Sequence, residues 1–157
     1  MPQPARKPGD PALEARLRAV VRGEVRFDAF TRGLYSTDAS HYQIEPLGVV
    51  FPADRSDIDA VLGVAREQGV AVLPRGAGTS QGGQTIGRAV VVDVSRHLTG
   101  IEVEEDGAHA VVEPGVVLET LNRALAPRRL WFPIDPSTAN RATLGGMAGN
   151  NSAGARS

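Results

Sequence analysis

The chain is 157 residues long, with 41% hydrophobic and 22% charged residues and a formal net charge of -1. That is enough polypeptide for one domain with a packed core, or one domain and part of a second, and it carries no basic field that would attract nucleic acid. The absence of cysteine excludes disulfides, thiolate metal sites and a cysteinyl nucleophile within these residues.

Residues 1–11 are polar and proline-rich without the apolar stretch of a signal peptide, and no apolar run approaches the roughly 18 residues of a membrane span. A cytoplasmic, soluble protein is expected. Leu13, Leu17, Val20 and Val21 recur at helical spacing between Pro11 and Gly23, with Asp10 as the N-cap. Phe27 to Gln43 reads as irregular and polar. Leu47 to Phe51 is a buried-type strand closed by Pro52. Ser56 and Asp59 resemble a capping box for a helix that shows Ile58, Val61, Leu62 and Ala65 on one face and stops at Gly69. Val70 to Leu73 and Ala89 to Asp93 are two further strands. Asp106-Gly107 predicts a hairpin turn between Ile101–Glu105 and Ala108–Glu113. Val117, Leu118, Leu121 and Leu125 mark a short helix stopped by Pro127, and everything beyond Leu130 reads as loop. The expected class is α+β.

Between the strands at 70–73 and 89–93 lies Arg75-Gly-Ala-Gly-Thr-Ser-Gln-Gly-Gly83, four glycines in nine residues. Successive N–H groups with no Cβ in the way form a concave anion site suited to phosphate or pyrophosphate, and Thr79 and Ser80 add hydroxyl donors. A plain flexible connection is the alternative. The dinucleotide pattern G-x-G-x-x-G would need glycine where Gln81 stands, and a P-loop needs a lysine, whereas Lys7 is the only lysine in the chain. Neither fingerprint applies.

Pro74-Arg-Gly-Ala-Gly-Thr-Ser80, preceded by a helix and a strand, resembles the first flavin loop of the vanillyl-alcohol oxidase and p-cresol methylhydroxylase superfamily. That superfamily includes the glycolate, D-lactate and D-2-hydroxyglutarate dehydrogenases. Pro46–Pro52, the D-x-S-x-x-L segment in Val91–Leu98, Glu113-Pro-Gly-Val116, Asp135-Pro-Ser137 and Thr143-Leu-Gly-Gly146 are similar to its other segments, in the same order. The resemblance implies a two-subdomain FAD-binding fold of the p-cresol methylhydroxylase type over residues 42–157, after a helical and irregular extension at residues 1–41. The second subdomain is expected to be incomplete, because the chain ends in a loop of small residues. By resemblance, backbone groups of Gly76, Ala77, Gly78, Thr79 and Ser80 bind the FAD pyrophosphate, with Pro74 and Arg75 as cofactor-binding residues at the loop's entry. Asp135, Pro136, Ser137, Thr143, Gly145, Gly146, Asn150 and Asn151 are implied to follow the rest of the cofactor. Thr79 stands where some relatives carry a histidine bonded to FAD, so non-covalent FAD is implied.

The activity implied by the resemblance is oxidation of a D-2-hydroxy acid by hydride transfer to FAD. The small-molecule substrate and the general base are expected on a cap domain outside these residues, and the electron acceptor is not specified. The alternatives are another FAD oxidase or reductase on the same scaffold and a non-catalytic, truncated fragment. No catalytic residue and no metal ligand is assigned: His41, His97 and His109 lack metal-ligand spacing, and Ser80 and Ser152 lie outside any G-x-S-x-G. His109 is expected to face solvent, and Trp131 and Phe132 are expected in core packing, with lining of the isoalloxazine pocket as the alternative.

Overall fold

Four strands form one sheet: β1 (Glu24–Arg26), β2 (Gly48–Phe51), β3 (Val72–Arg75) and β4 (Val90–Asp93), in the spatial order β1-β2-β4-β3. The computed structural model describes residues 6–105, 107 and 109–154. β2, β4 and β3 run parallel, and β1 pairs antiparallel with β2. Every residue of β2 and β4 is buried, which is why both read as unbroken apolar runs. Helices α1 (Pro11–Arg18), α2 (Ala29–Leu34) and α3 (Arg55–Gln68) pack around the sheet. Alternation along the strands divides the core. Val50, Val90 and Val92 meet Leu13, Leu17, Val61 and Val64 on one face, and Val49, Phe51 and Val91 meet Tyr35 and Leu73 on the other.

Asp10 caps α1 as the sequence predicts, accepting from the N–H groups of Ala12 and Leu13 at 2.9 and 3.2 Å. The start of α3 differs from the predicted capping box. Asp54 is the cap, with its carboxylate accepting from the Ser56 N–H at 2.9 Å, and Ser56 itself lies inside the first turn. The buried face is also rotated from the predicted one: Asp57, Val61, Val64 and Ala65 are buried, while Leu62 is 47% exposed. The rotation turns the Asp57 carboxylate inward, where backbone donors await it. The stretch predicted as irregular contains α2, capped by Asp28 on the Thr31 N–H at 2.8 Å. β1 was not predicted at all, because three residues are too few for a period of two to register.

The second unit begins with the hairpin of β5 (Ile101–Val103) and β6 (Ala110–Val112), paired antiparallel with Ile101 opposite Val112. Gly107 has a φ of 71°, as a hairpin turn requires, and Asp106 lies outside the described residues. Helix α4 (Leu118–Leu125) follows and tightens into a 3-10 turn at Ala126–Arg128. A last helix, α5 (Leu144–Gly149), stands where the sequence predicts only loop. Its three glycines are poor helix formers, and tertiary contact supplies what propensity lacks: Met147 is buried with Leu118 and Ala142. Val116, Leu121 and Leu125 form the rest of this smaller core against Ile101, Val112 and Phe132. Phe132 therefore packs as expected, whereas Trp131 is 56% exposed.

Asp57 fastens the start of β1 to α3. Its Oδ1 accepts from the Arg22 N–H at 2.9 Å, and its Oδ2 accepts from Gly23 and Ala53 at 2.9 and 2.8 Å. Burial opposes ionisation, but the bonds from Arg22, Ala53 and Gly23 outweigh it and hold the carboxyl below the ordinary carboxylate range. Such a group adds stability that is fully present above the unfolded pKa, about 3.9, and is lost as pH falls through the folded one. Asp57→Asn replaces an acceptor oxygen with an NH2 that faces other donors. It is expected to cost about 2–3 kcal/mol at neutral pH, with the difference from wild type shrinking in acid. Urea unfolding of both proteins across that pH range measures the effect.

Candidate functional site

β3 and β4 are parallel neighbours, yet the connection between them, Gly76 to Ala89, contains no helix or strand. Parallel strands are normally joined through a helix, and a long connection without one is usually functional. Its first turn has an unusual hydrogen-bond account. Among the described residues, none accepts a hydrogen bond from the backbone N–H of Gly76, Ala77, Gly78, Thr79 or Ser80. Gly76, Gly78, Thr79 and Ser80 are half-buried, where a backbone donor ordinarily finds a partner. Gly78 has a φ of +68°, the left-handed geometry from which nests of successive N–H groups are built. Five open donors around a left-handed glycine suit an anion such as the pyrophosphate of FAD.

Arg75, at the head of this row, holds its guanidinium among backbone carbonyls and against Gly78. Its guanidinium donates to the carbonyls of Tyr35, Thr37 and Thr85 at 3.4, 2.9 and 3.3 Å and lies 4.9 Å from the centre of the Tyr35 ring. Pro74 is a β3 residue paired with Val92. The Ser80 hydroxyl bonds to the side chain of Gln84.

The second glycine segment meets the first at one point. A Cβ on Gly76 would overlap the Oγ1 of Thr143, which is only 2% exposed. Thr143 caps α5, accepting from the Gly146 N–H at 3.3 Å, and lies opposite Val117 in an isolated bridge. Around that bridge, Leu118 donates to Ala142 at 3.0 Å, Leu144 to Val116 at 2.8 Å and Gly145 to Pro114 at 2.9 Å. The first-turn N–H groups of α5 are thus engaged in docking, in contrast to the open row at Gly76–Ser80. Asp135 lies against Gly154, on which a Cβ would overlap the Asp135 carbonyl. Pro136 accepts from the Ala139 N–H at 3.0 Å in the turn through Ser137. Asn150 ends α5, its side chain 3.4 Å from the Ser152 hydroxyl, and Asn151 is left-handed at φ 49°.

The D-x-S-x-x-L segment acquires a physical reason. Asp93 is buried at the end of β4, where Oδ1 accepts from the Ser95 N–H and Oγ at 2.7 and 2.6 Å, and Oδ2 from the Tyr35 hydroxyl. Burial first, and then its bond to Asp93, push the Tyr35 phenol well above its ordinary range, so it remains a donor. Sequence reasoning missed Tyr35, Asp38 and Thr85, which gather behind the loop: the Thr85 Oγ1 donates to Asp38 at 3.0 Å. No short motif links these residues. His109 is exposed as expected, beside Glu104 at 3.2 Å. Among the described residues, no group of three His, Asp or Glu side chains could hold a metal ion, and no helix is long and apolar enough to cross a membrane.

Gly76→Ala is expected to destabilise the chain, because the Thr143 Oγ1 is fixed as a cap and has no room to move. Thr143→Ala removes that atom and also costs about 1 kcal/mol as a lost cap. The double variant should be less destabilised than the sum of the two by about 1 kcal/mol. Strict additivity in chemical denaturation would mean that the two segments do not touch.

The residues fit a known family. A profile described as an FAD binding domain matches residues 46–157. D-2-hydroxyglutarate dehydrogenase of Pseudomonas putida is 40% identical over 146 residues, covering 90% of this chain and 14% of that protein. Glycolate oxidase subunit GlcD of Bacillus subtilis is 35% identical over 141 residues, 87% of this chain and 30% of that one. The chain therefore spans a minor part of the relatives' length. In solved structures the same fold occurs in alkyldihydroxyacetonephosphate synthase, with a TM-score of 0.81 at 19% identity over 98% of this chain and 31% of that one. It occurs again in p-cresol methylhydroxylase, with a TM-score of 0.75 at 16% identity over 94% of this chain and 30% of that one. The fold is thus the α+β, p-cresol methylhydroxylase type implied by the motifs, and the chain belongs to the FAD-binding domain family of flavoprotein oxidoreductases.

Proposed function

We propose that this chain is the cofactor-binding part of an FAD-dependent dehydrogenase that oxidises a D-2-hydroxy acid of the 2-hydroxyglutarate, D-lactate or glycolate type. The observation that carries the cofactor placement is the row of open N–H groups from Gly76 to Ser80. The substrate class is supported by relatives whose names specify D-2-hydroxyglutarate and glycolate, both 2-hydroxycarboxylates.

In this reading the backbone of Gly76 to Ser80 holds the FAD pyrophosphate, with the Thr79 hydroxyl as an added donor. Asp135 to Ser137, Thr143, Gly145, Gly146, Asn150 and Asn151 run along the rest of the cofactor. Bound FAD supplies the hydride acceptor. Fixed backbone dipoles suit the pyrophosphate because they need no reorganisation when the charge arrives. Attachment is non-covalent: a threonine at position 79 offers no imidazole, and the chain has no cysteine. The substrate and the general base belong to a cap domain, and the protein works in the cytoplasm.

FAD added to the purified chain is expected to lose fluorescence on binding. Acid precipitation of the loaded protein is expected to release all the flavin to the supernatant, and yellow pellets would overturn non-covalent attachment. For the substrate, the domain joined to its cap domain should be bleached anaerobically by the D enantiomer of 2-hydroxyglutarate or lactate, or by glycolate. Bleaching by a phenolic alcohol instead would place the chain with the other oxidases of this scaffold.

A further inference from the structure

The guanidinium of Arg75 is committed three times over before any ligand arrives. One terminal nitrogen donates to the carbonyls of Tyr35 and Thr85, and the other to that of Thr37. These acceptors come from the two sides of the loop: Thr85 lies near its far end, and Tyr35 and Thr37 belong to a separate segment. The same group lies over the Tyr35 ring and against Gly78, where a Cβ would stand 2.5 Å from the Arg75 Nη2 and 3.0 Å from its Cζ. Gly78 is the left-handed residue of the open row.

Residues 35–43 grip the rest of the connection. Asp38 accepts from the Thr85 hydroxyl at 3.0 Å, and the Tyr42 ring lies where a Cβ on Gly83 would come within 3.0 Å. The segment is folded on itself by a bridge between Thr37 and Gln43 and by the Ile44 N–H to the Ser36 carbonyl at 2.9 Å. Tyr35 is fixed in turn by its hydroxyl on Asp93 and by edge contact with Phe51, 5.8 Å between ring centres.

We propose that Arg75 is a positioning residue of the cofactor site. Clamped by residues 35–43, it sets the shape of Gly76–Ser80 and does not itself contact the phosphate. Moving the guanidinium toward an anion would break bonds to three carbonyls and the ring contact together. A planar fork suits three divergent carbonyls and a ring face at once, and a lysine ammonium does not. This inference rests on the reading that Gly76–Ser80 hold the pyrophosphate.

The test compares the wild-type chain with Arg75→Lys, Tyr35→Leu and Gly78→Ala, with and without FAD. Amide hydrogen exchange across residues 76–85 is followed in the FAD-free protein, and FAD affinity is titrated at several salt concentrations. A positioning role predicts faster exchange over residues 76–85 in FAD-free Arg75→Lys at an unchanged unfolding midpoint. It also predicts FAD affinity weaker by about tenfold or more, the size of a lost charge-assisted bond, with the salt dependence of binding kept. Weakened binding with unaltered exchange would show that Arg75 acts by direct contact with the phosphate and would overturn the proposal. Tyr35→Leu removes the ring against the guanidinium and its anchor on Asp93 while keeping Arg75 itself, and decides the matter if Arg75→Lys does not fold: reduced FAD affinity supports positioning, and unchanged affinity overturns it. Gly78→Ala separates the underlying reading. FAD affinity unaffected by that change would mean that the loop does not hold the cofactor, and the proposal would fall with it.

Discussion

Five consecutive backbone donors without a partner among the described residues are the constraint around which the rest of the chain is arranged. Four of the five residues are half-buried, and such a row stays open where the surroundings keep it from collapsing onto a nearby carbonyl. The sheet provides that restraint. At the head of the row, the Arg75 carbonyl accepts from the Val94 N–H at 3.0 Å, and at the return the Val90 N–H donates to Ala71 at 2.9 Å. β4, which receives the return, is buried throughout and lies between β2 and β3. The loop is therefore suspended between two parallel strands, one of them buried along its whole length. Its openness is imposed by the frame and does not come from looseness.

The second unit is held together, and meets this frame, through backbone as much as through side chains. Leu144 to Val116, Gly145 to Pro114 and Leu118 to Ala142 are main-chain bonds that dock α5 within the unit, and Gly76 of the frame approaches Thr143 because it has no Cβ. Contacts of this kind restrict glycines and caps while leaving most other positions free to drift. That is a physical basis for one fold shared by chains only 16–22% identical to this one. It also explains why α5 forms from a glycine-rich stretch: Thr143 caps it, Met147 is buried under it, and docking replaces propensity.

The parts of the fold legible in the sequence were those with strong local signals. β2 and β4 announced themselves as valine runs because both their faces are covered, and Asp10, Gly69 and Pro127 marked helix ends by their own chemistry. The glycine loop stood out because four glycines in nine residues after a strand are a strong local signal. Features that depend on distant partners were not legible. The inward turn of Asp57 requires N–H groups from Arg22 and Gly23, more than thirty positions away in the chain. Thr143 was marked as a cofactor residue, but its cap and its contact with Gly76 became visible only in three dimensions. The three carbonyl partners of Arg75, two of them in another segment, are likewise set by the fold and not by any local pattern.

A site made of neutral N–H groups also divides the labour within the protein. The chain's net charge is -1, so an anion held at this loop would rely on directed short-range dipoles more than on overall charge. Neutral N–H groups of fixed direction suit a phosphate and carry no information about what the far end of a cofactor would oxidise. Substrate choice must then lie with elements that approach the reactive end of the cofactor, and the frame described here is free to stay constant while they change.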